Sequence, residues 1–272
     1  MARKTRVTRQ RALGWFVATM VAVAVLAPLL APQLPDAIDL AARRSGPGSL
    51  HWFGTDDLGR DVLSRVLYGA RVSLSVGLAS AAVALAIGVT VGLLAGWAGG
   101  VADSALMRLT DAALAVPRLP LLMIAGAIVE PTAVALAVLV GAVGWMETAR
   151  VVRADALTLR DRPFIDAARA TGAGDARILW HHLVPNIAPT IAVSATLAVG
   201  RGILLESALS FFGVGVRPPA ASWGNMLHQA QQSMSSEPWV AIFPGLCIFA
   251  TVVIINLLGD RLAAPLREGA LA

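Results

Sequence analysis

Long runs of uncharged, mostly apolar residues alternate with short charged stretches along this chain. Four of these runs are long enough to cross a bilayer unaided: Ala12–Pro35, Val72–Ala102, Leu183–Gly200 and Pro238–Gly259, with 24, 31, 18 and 22 uncharged residues. Because a helix of about 20 apolar residues crosses the hydrocarbon core, each run predicts one transmembrane helix.

Two further runs are shorter, Leu119–Val129 with 11 uncharged residues and Pro131–Met146 with 16. At 1.5 Å per residue, the first covers only about 16 Å of a core roughly 30 Å thick. We therefore expect its span to begin near Leu109 and to carry Asp111 and Arg118 at its inner end, two helical turns apart on one face. The whole pattern predicts an all-α integral membrane protein with six transmembrane helices.

Composition agrees with a membrane protein and excludes several other classes. Of the 272 residues, 57% are hydrophobic and 14% are charged, whereas soluble domains carry roughly 25% charged residues. The single cysteine, Cys247, excludes a disulfide framework or a multi-cysteine metal site within one chain. The isoelectric point of 10.8 reflects arginines at the edges of apolar runs, which favours orientation in a membrane over nucleic-acid binding.

Basic residues beside the runs predict the orientation. Five of them precede the first run and place the N-terminus in the cytoplasm: Arg3, Lys4, Arg6, Arg9 and Arg11. That run exceeds the roughly 7–15 residues of a signal-peptide core, so we expect a retained helix. Six spans then place both the C-terminus and the six arginines of Glu147–His182 in the cytoplasm. The outer loop after the first span departs from the rule, since it holds five arginines.

The polar insert before the fifth span predicts two short helices. Asp161 is a candidate N-cap with Pro163 in the first turn, and Phe164–Ala170 then forms a helix that Gly172 and Gly174 stop. Asp175 caps a second helix through His182, which Pro185 ends. Helices this short are marginal in water and need a partner surface. A solvated loop with ordinary turn glycines is the alternative.

Asp166-Ala167-Ala168, three residues, Gly172, twelve residues and Pro185 together resemble the "EAA" loop of ABC importer permeases. The family usually begins this motif with glutamate, and Asp166 keeps the carboxylate on a shorter side chain. The resemblance implies that the loop forms coupling helices that sit in a groove of a cytoplasmic ATPase. His182, with His181, occupies the place where the family often has a histidine, and we expect it to dock or cap the insert rather than bind metal.

Three more stretches are similar to the C-type subunit of the dipeptide/oligopeptide/nickel group: residues 51–74, 206–227 and 243–262. The resemblance covers nearly all of the chain from about residue 50. It implies a type I ABC importer permease fold with one extra N-terminal helix. The expected division is residues 1–71 (cytoplasmic N-terminus, first transmembrane helix and outer loop) and 72–272 (core permease domain), with the coupling loop at about 147–185.

The resemblance implies a non-catalytic permease of the bacterial inner membrane that carries dipeptides or short oligopeptides, or else nickel or another peptide-like cargo. Its expected partners are a second homologous permease, two ABC ATPases, an extracytoplasmic substrate-binding protein and the lipid bilayer, without nucleic acid. The chain has Lys4 as its one lysine and no phosphate-binding G-x-x-x-x-G-K-[ST] loop. ATP and Mg²⁺ are therefore expected in the ATPases, and no cofactor or metal in this chain.

Ionisable residues within spans are costly and usually functional. By position these are Asp111, Arg118, Arg201 and Glu206, candidates for a pathway or gate. Interfacial snorkelling is the alternative for Arg118. For Arg201 and Glu206 the alternatives are an ion pair with each other, a contact with a neighbouring subunit, or a contact with peptide termini. Gly88, Gly92 and Gly96 form a ridge that packs either within this subunit or against the partner permease.

Two other classes fit less well. A secondary transporter or channel acting without ATP would leave the docking-type insert unexplained, and we see no internal repeat of the kind such transporters carry. An intramembrane protease needs a buried base, yet all four histidines lie outside the predicted spans: His51, His181, His182 and His228.

Overall fold

A computed structural model describes residues 2–130 and 132–270, with side chains from residue 14 to 130 and from 132 to 263. No strand occurs in these parts of the chain, which are built from helices and loops. The α-helices are α1 Ala2–Val25, α2 Ala27–Leu30, α3 Val62–Ala98, α4 Gly100–Ala115, α5 Arg118–Ile128, α6 Ala133–Ala142, α7 Met146–Arg160, α8 Pro163–Ala170, α9 Asp175–Ile178, α10 Val184–Phe211, α11 Trp223–Ala230 and α12 Pro238–Ala270. A 3₁₀ turn covers Leu40–Ala42, and a π turn covers Leu179–Leu183.

The long apolar helices confirm the all-α membrane fold. Three are long and apolar enough to cross a bilayer: α3, the continuous helix Asp175–Phe211 that contains α9 and α10, and the Pro238–Ala263 part of α12. Two bent pairs bring the number to as many as five, α4 with α5 at 82° and α6 with α7 at 47°. The remaining predicted span falls on α1, whose described side chains form the short apolar helix Gly14–Val25.

The third span differs from the prediction of a single helix from Leu109. Its helix begins at Gly100 and breaks between Ala115 and Arg118. Pro117 causes the break, because a proline disfavours helical backbone in the residue before it and Val116 is extended (φ −80°, ψ 125°). Asp111 and Arg118 therefore lie on different helices, and the expectation that they share one helical face is wrong.

The fifth span also runs further than its uncharged stretch. α10 continues past Arg201 to Phe211. Pro185 does not end the second short helix, as expected, but lies in the first turn of α10, where a missing N–H costs little. The π turn Leu179–Leu183 connects α9 to α10 without a break in direction.

α3 lies at the centre of the helix packing, and its glycine ridge faces α7. A Cβ on Gly92 would lie 2.6 Å from the Ala149 carbonyl oxygen, and one on Gly96 would lie 2.6 Å from Ala156 Cβ. A Cβ on Gly88 would lie 2.7 Å from Thr148 Cβ. The ridge therefore packs within this subunit, the first of the two alternatives for it.

The segment between α2 and α3 packs over the start of α12 and over α11. The Phe53 and Phe243 rings stack with centroids 3.8 Å apart, and the Trp239 indole N–H donates to the Thr55 carbonyl at 3.0 Å. The guanidinium groups of Arg60 and Arg65 both donate to Gln229 Oε1, at 3.1 and 2.9 Å. Arg60 and Arg65, two of the five arginines that depart from the positive-inside rule, are thus held by this packing. The expected domain boundary at residue 71 falls inside α3.

Candidate functional site

The first half of the insert is a helix with one buried and one exposed face. Ile165 and Ala168, one turn apart on α8, are buried in a cluster with Val152 of α7 and Ile178 of α9. Asp166, Ala167 and Arg169 face outward, and Asp166 pairs with Arg169 at 3.2 Å. The motif residues therefore divide by environment, with Ala168 packed against the neighbouring helices and Asp166 and Ala167 exposed.

Backbone geometry confirms Gly172 as the stop of α8. Gly172 has φ +80°, its N–H bonds the Arg169 carbonyl at 2.9 Å, and the Ala173 N–H bonds the Ala168 carbonyl at 3.1 Å. This pair of bonds is a Schellman motif, which places a left-handed residue, usually glycine, just past the helix end. Gly174 has φ −73° and precedes α9 as its N-cap, so it does not stop α8.

Two predicted caps are placed differently. Asp161 lies at the C-terminal end of α7, and the extended Arg162 is the N-cap of α8. Asp175 is the first residue of α9, not its cap. In both cases the neighbour takes the extended backbone that a cap needs.

The second half of the insert joins the membrane helix directly. His182 lies in the π turn, half-buried, with its ring 6.5 Å from that of Phe164 on α8. Pro185 is exposed just above it. On the other side of the insert, the Arg169 guanidinium lies 5.1 Å from the ring centroid of Trp97 at the end of α3. The insert is thus held against α3, α7 and α10 while Trp180 and the outer face of α8 stay exposed.

α7 carries a row of ion pairs that sequence reasoning missed. Its Glu147, Arg150 and Arg153 are three residues apart and so lie on one face. Arg153 pairs with Asp103 (Nη2 to Oδ2, 2.6 Å), Arg150 with Asp111, and Glu147 with Arg118. Counting these residues as part of a cytoplasmic loop hid them, although the spacing of three was visible. The row fixes α7 to both halves of the bent α4–α5 pair.

Arg201 and Glu206 belong to separate networks, so the alternative of an ion pair between them is wrong. Arg201 Nη1 lies 3.2 Å from Glu147 Oε2. Glu206 is fully buried and accepts hydrogen bonds from Ser73 on α3 (3.0 Å) and from Ser210 (2.8 Å). Residues five apart on a helix point to opposite sides, which explains the separation.

The Glu206 network also reaches α11. The Ser73 hydroxyl that donates to Glu206 accepts the backbone N–H of Trp223, the first residue of α11, at 3.2 Å. Trp223 is itself buried and donates its indole N–H to the Val66 carbonyl at 3.0 Å. One carboxylate thereby joins α3, α10 and α11.

Comparison with known proteins decides the family. The model of the family described as binding-protein-dependent transport system inner membrane component matches residues 88–268, more than half of the chain. The chain belongs to this family. The permease is therefore an inner-membrane, multi-pass transport component, and its predicted resemblance to ABC importer permeases of the peptide group is confirmed.

Individual relatives cover nearly the whole permease. It is 41% identical to a putative peptide permease protein of Brucella suis, over 93% of this chain and 85% of that one. It is 40% identical to a glutathione transport system permease protein of Pectobacterium atrosepticum (92% and 84% covered). A dipeptide transport system permease protein of Alkalihalophilus pseudofirmus is 39% identical (90% and 81% covered).

A solved structure confirms the fold. A chain of the MetNI methionine ABC transporter, in an inward-facing conformation, superposes with a TM-score of 0.58. The match covers 75% of the permease and 96% of that chain, at 20% sequence identity. The permease thus shares the transmembrane fold of an ABC transporter chain.

Proposed function

We propose that this permease forms half of the translocation pathway of an ATP-driven importer for dipeptides or short oligopeptides. The observation that carries the proposal is the insert, a short helix with an exposed polar face whose other face is seated on the membrane helices. Relatives named as peptide, dipeptide and glutathione permeases support a peptide-like cargo. Nickel as the cargo is the alternative within this permease group.

The proposed assembly contains three further kinds of subunit. A second homologous permease completes the pathway, two ABC ATPases bind the inserts, and an extracytoplasmic binding protein delivers the cargo. ATP and Mg²⁺ belong to the ATPases, so the permease itself is non-catalytic and holds no cofactor. Both termini lie in the cytoplasm, on the side of the insert.

Coupling is proposed to act through α8. Closure of the ATPase dimer moves the exposed face of α8, which bears Asp166 and Ala167. Ile165 and Ala168 on the buried face pack on α7 and on the base of the fifth span. Because packed cores do not deform continuously, the movement passes to these helices as rigid bodies and alternates access to the pathway.

Purification of the tagged permease in mild detergent, followed by reconstitution into vesicles, tests the proposal. We expect two ATPases and a second permease in stoichiometric amounts, and ATP-dependent uptake of a labelled dipeptide in the presence of the binding protein. Recovery of the permease alone, transporting without ATP, would overturn the assembly and support a secondary transporter. Uptake of nickel without uptake of peptides would correct the cargo alone.

A further inference from the structure

A groove lined by both polar and apolar side chains lies among α7, α10 and α12, within the membrane-spanning part of the permease. Its volume is about 310 Å³, and its polar lining residues are Glu147, Thr148, Ser194, Arg201 and Asn256. Pockets that hold small molecules measure roughly 300–1,000 Å³. The groove is large enough for a dipeptide-sized molecule, and its lining combines these polar groups with the apolar side chains of Val151 and Leu197.

The charges beside the groove leave one positive charge uncompensated. Arg118 and Arg201 share the single carboxylate of Glu147, and Arg118 forms its hydrogen bond. Arg201 lies 3.2 Å from the other oxygen of Glu147, but this contact is not aligned as a hydrogen bond. In the described part of the permease, Nη2 of Arg201 forms no hydrogen bond and can bind another acceptor, and the side chain is 35% exposed.

Three side chains in the groove wall lack hydrogen-bond partners in the described part of the permease. The Thr148 hydroxyl is buried without one, and Ser194 and Asn256 form no side-chain hydrogen bond. Of the three, the Thr148 hydroxyl is buried, and a buried polar group without a partner costs about 1–3 kcal/mol. Groups of this kind are retained where a ligand or water completes them.

Gly200 keeps one of these groups in place. A Cβ at this position would lie 2.9 Å from Asn256 Oδ1, so any larger residue would displace the Asn256 amide from the surface of α10. The amide lies beside the next residue in the chain, Arg201. A cation and an amide thus face the same small volume.

We propose that this groove binds the cargo as it passes through the permease, with Arg201 holding the C-terminal carboxylate of a short peptide. Asn256 and Ser194 then bond the adjacent peptide amide, and Val151 and Leu197 form apolar walls that accept different side chains. The inference rests on the proposed peptide cargo and names its recognition site. A carboxylate from a partner subunit would satisfy Arg201 but would leave the amide-binding groups and the cavity without a purpose.

The test pairs a change in the permease with a change in the peptide. The complete importer, reconstituted in vesicles with its binding protein, is given labelled dialanine or dialanine C-terminal amide at saturating concentration. The ratio of the two uptake rates is measured for the wild type and for Arg201→Gln. Because the binding protein is the same in both, its own preference for the carboxylate cancels when the ratios are compared.

We expect Arg201→Gln to lower the dialanine-to-amide ratio about tenfold, equivalent to the loss of one charge-assisted hydrogen bond. Arg201→Lys keeps the charge and should restore most of the ratio. Arg108→Gln is the matched control, since Arg108 is an exposed arginine of α4 outside the groove, and it should leave the ratio unchanged. Asn256→Ala should slow both peptides alike, because both carry the amide.

Each other outcome counts against the site. An unchanged ratio in an actively transporting Arg201→Gln importer would overturn the carboxylate assignment. Failure of Arg201→Gln to assemble with the partner permease would assign the arginine to a subunit contact, and an unaltered Asn256→Ala would exclude the amide contact. If the wild-type importer hydrolyses ATP but carries neither peptide, the proposed cargo itself is wrong.

Discussion

Two glycines of the insert look alike in the sequence but have different backbone requirements. Gly172 has φ +80° and closes a helix, whereas Gly174 has φ −73° and begins one. A Cβ on either residue would meet no atom within 4 Å. Any difference between substitutions at these positions must therefore arise from backbone conformation and not from packing.

We expect Gly172→Val to reduce ATP-coupled uptake at least tenfold while the permease still inserts at normal abundance. A β-branched residue is strained in the left-handed region by about 1–3 kcal/mol, which distorts the end of α8, beside the proposed contact with the ATPase. Gly174→Val is the control and should retain most of the uptake. Uptake and ATP hydrolysis are measured together, and equal coupling in the two variants would contradict the docking role.

The buried carboxylate of Glu206 provides a second prediction at this scale. Glu206→Leu removes the acceptor of three serine hydroxyls, those of Ser73, Ser207 and Ser210, and should destabilise the permease by about 2 kcal/mol. Glu206→Gln keeps an oxygen acceptor of similar shape and should cost much less. Thermal unfolding in detergent, followed by tryptophan fluorescence, compares the two, and equal midpoints would show that the serine hydrogen bonds contribute little.

At the scale of elements, α7 is a charged helix in the middle of a membrane fold. One face, through Ala149 and Val152, receives the glycine ridge of α3, and another carries the ion pairs to α4, α5 and α10. Its charges are tolerated because they are paired with residues of neighbouring helices. α7 thereby connects the bent third span to the central helix.

Close approach of α3 and α7 is testable at Gly92. Gly92→Leu would force the helices apart, because even its Cβ would overlap the Ala149 carbonyl. Overpacking of this kind costs about 1–3 kcal/mol, so we expect a clear decrease in the unfolding midpoint and in yield. Gly14→Ala is the control, since nothing lies within 4 Å of a Cβ there. A normal midpoint for Gly92→Leu would contradict the packing.

The sequence predicted elements better than their junctions. Apolar runs located the membrane helices, and the glycine after α8 was identified as a stop, because both depend on local chemistry. The break at Pro117 and the continuation through Pro185 show the limit, since the two prolines lie in similar apolar surroundings. Their different outcomes depend on position, as Pro185 lies within the first turn of α10 and Val116 takes an extended backbone.

The candidate site was predicted only in part for a similar reason. The insert has a recognisable spacing, so its residues were found. Glu147 on α7 forms ion pairs with Arg118 on α5 and Arg201 on α10. Contacts between three helices depend on tertiary packing, which a local sequence pattern does not predict. Arg201 and Glu206, close in the sequence, separate for the same reason.

At the scale of the whole molecule, the outer segment and the insert lie at opposite ends of the fold. Residues 31–61 pack with α11 and the start of α12, whereas the insert packs with the end of α3 and the base of α10. Leu50 in the outer segment is 87% exposed. Gly174 in the insert is also exposed.

Labelling with a membrane-impermeant maleimide tests the orientation. In a Cys247→Ala background, Leu50→Cys should react in intact cells and Gly174→Cys only after permeabilisation, because the arginine-rich insert stays in the cytoplasm. Expression levels of the two variants serve as the control. The opposite labelling pattern would invert the topology and remove the insert from the ATPases.

The helix Asp175–Phe211 extends without a break over 37 residues, from the insert to the loop that precedes α11. Its length is about 55 Å, so a tilt of about 10° at the inner end displaces the outer end by about 10 Å. Such a lever requires no chain of small rearrangements between the two membrane faces. In the proposed coupling, a displacement of the insert would reach the other end of this helix as a single tilt that starts beside the π turn Leu179–Leu183.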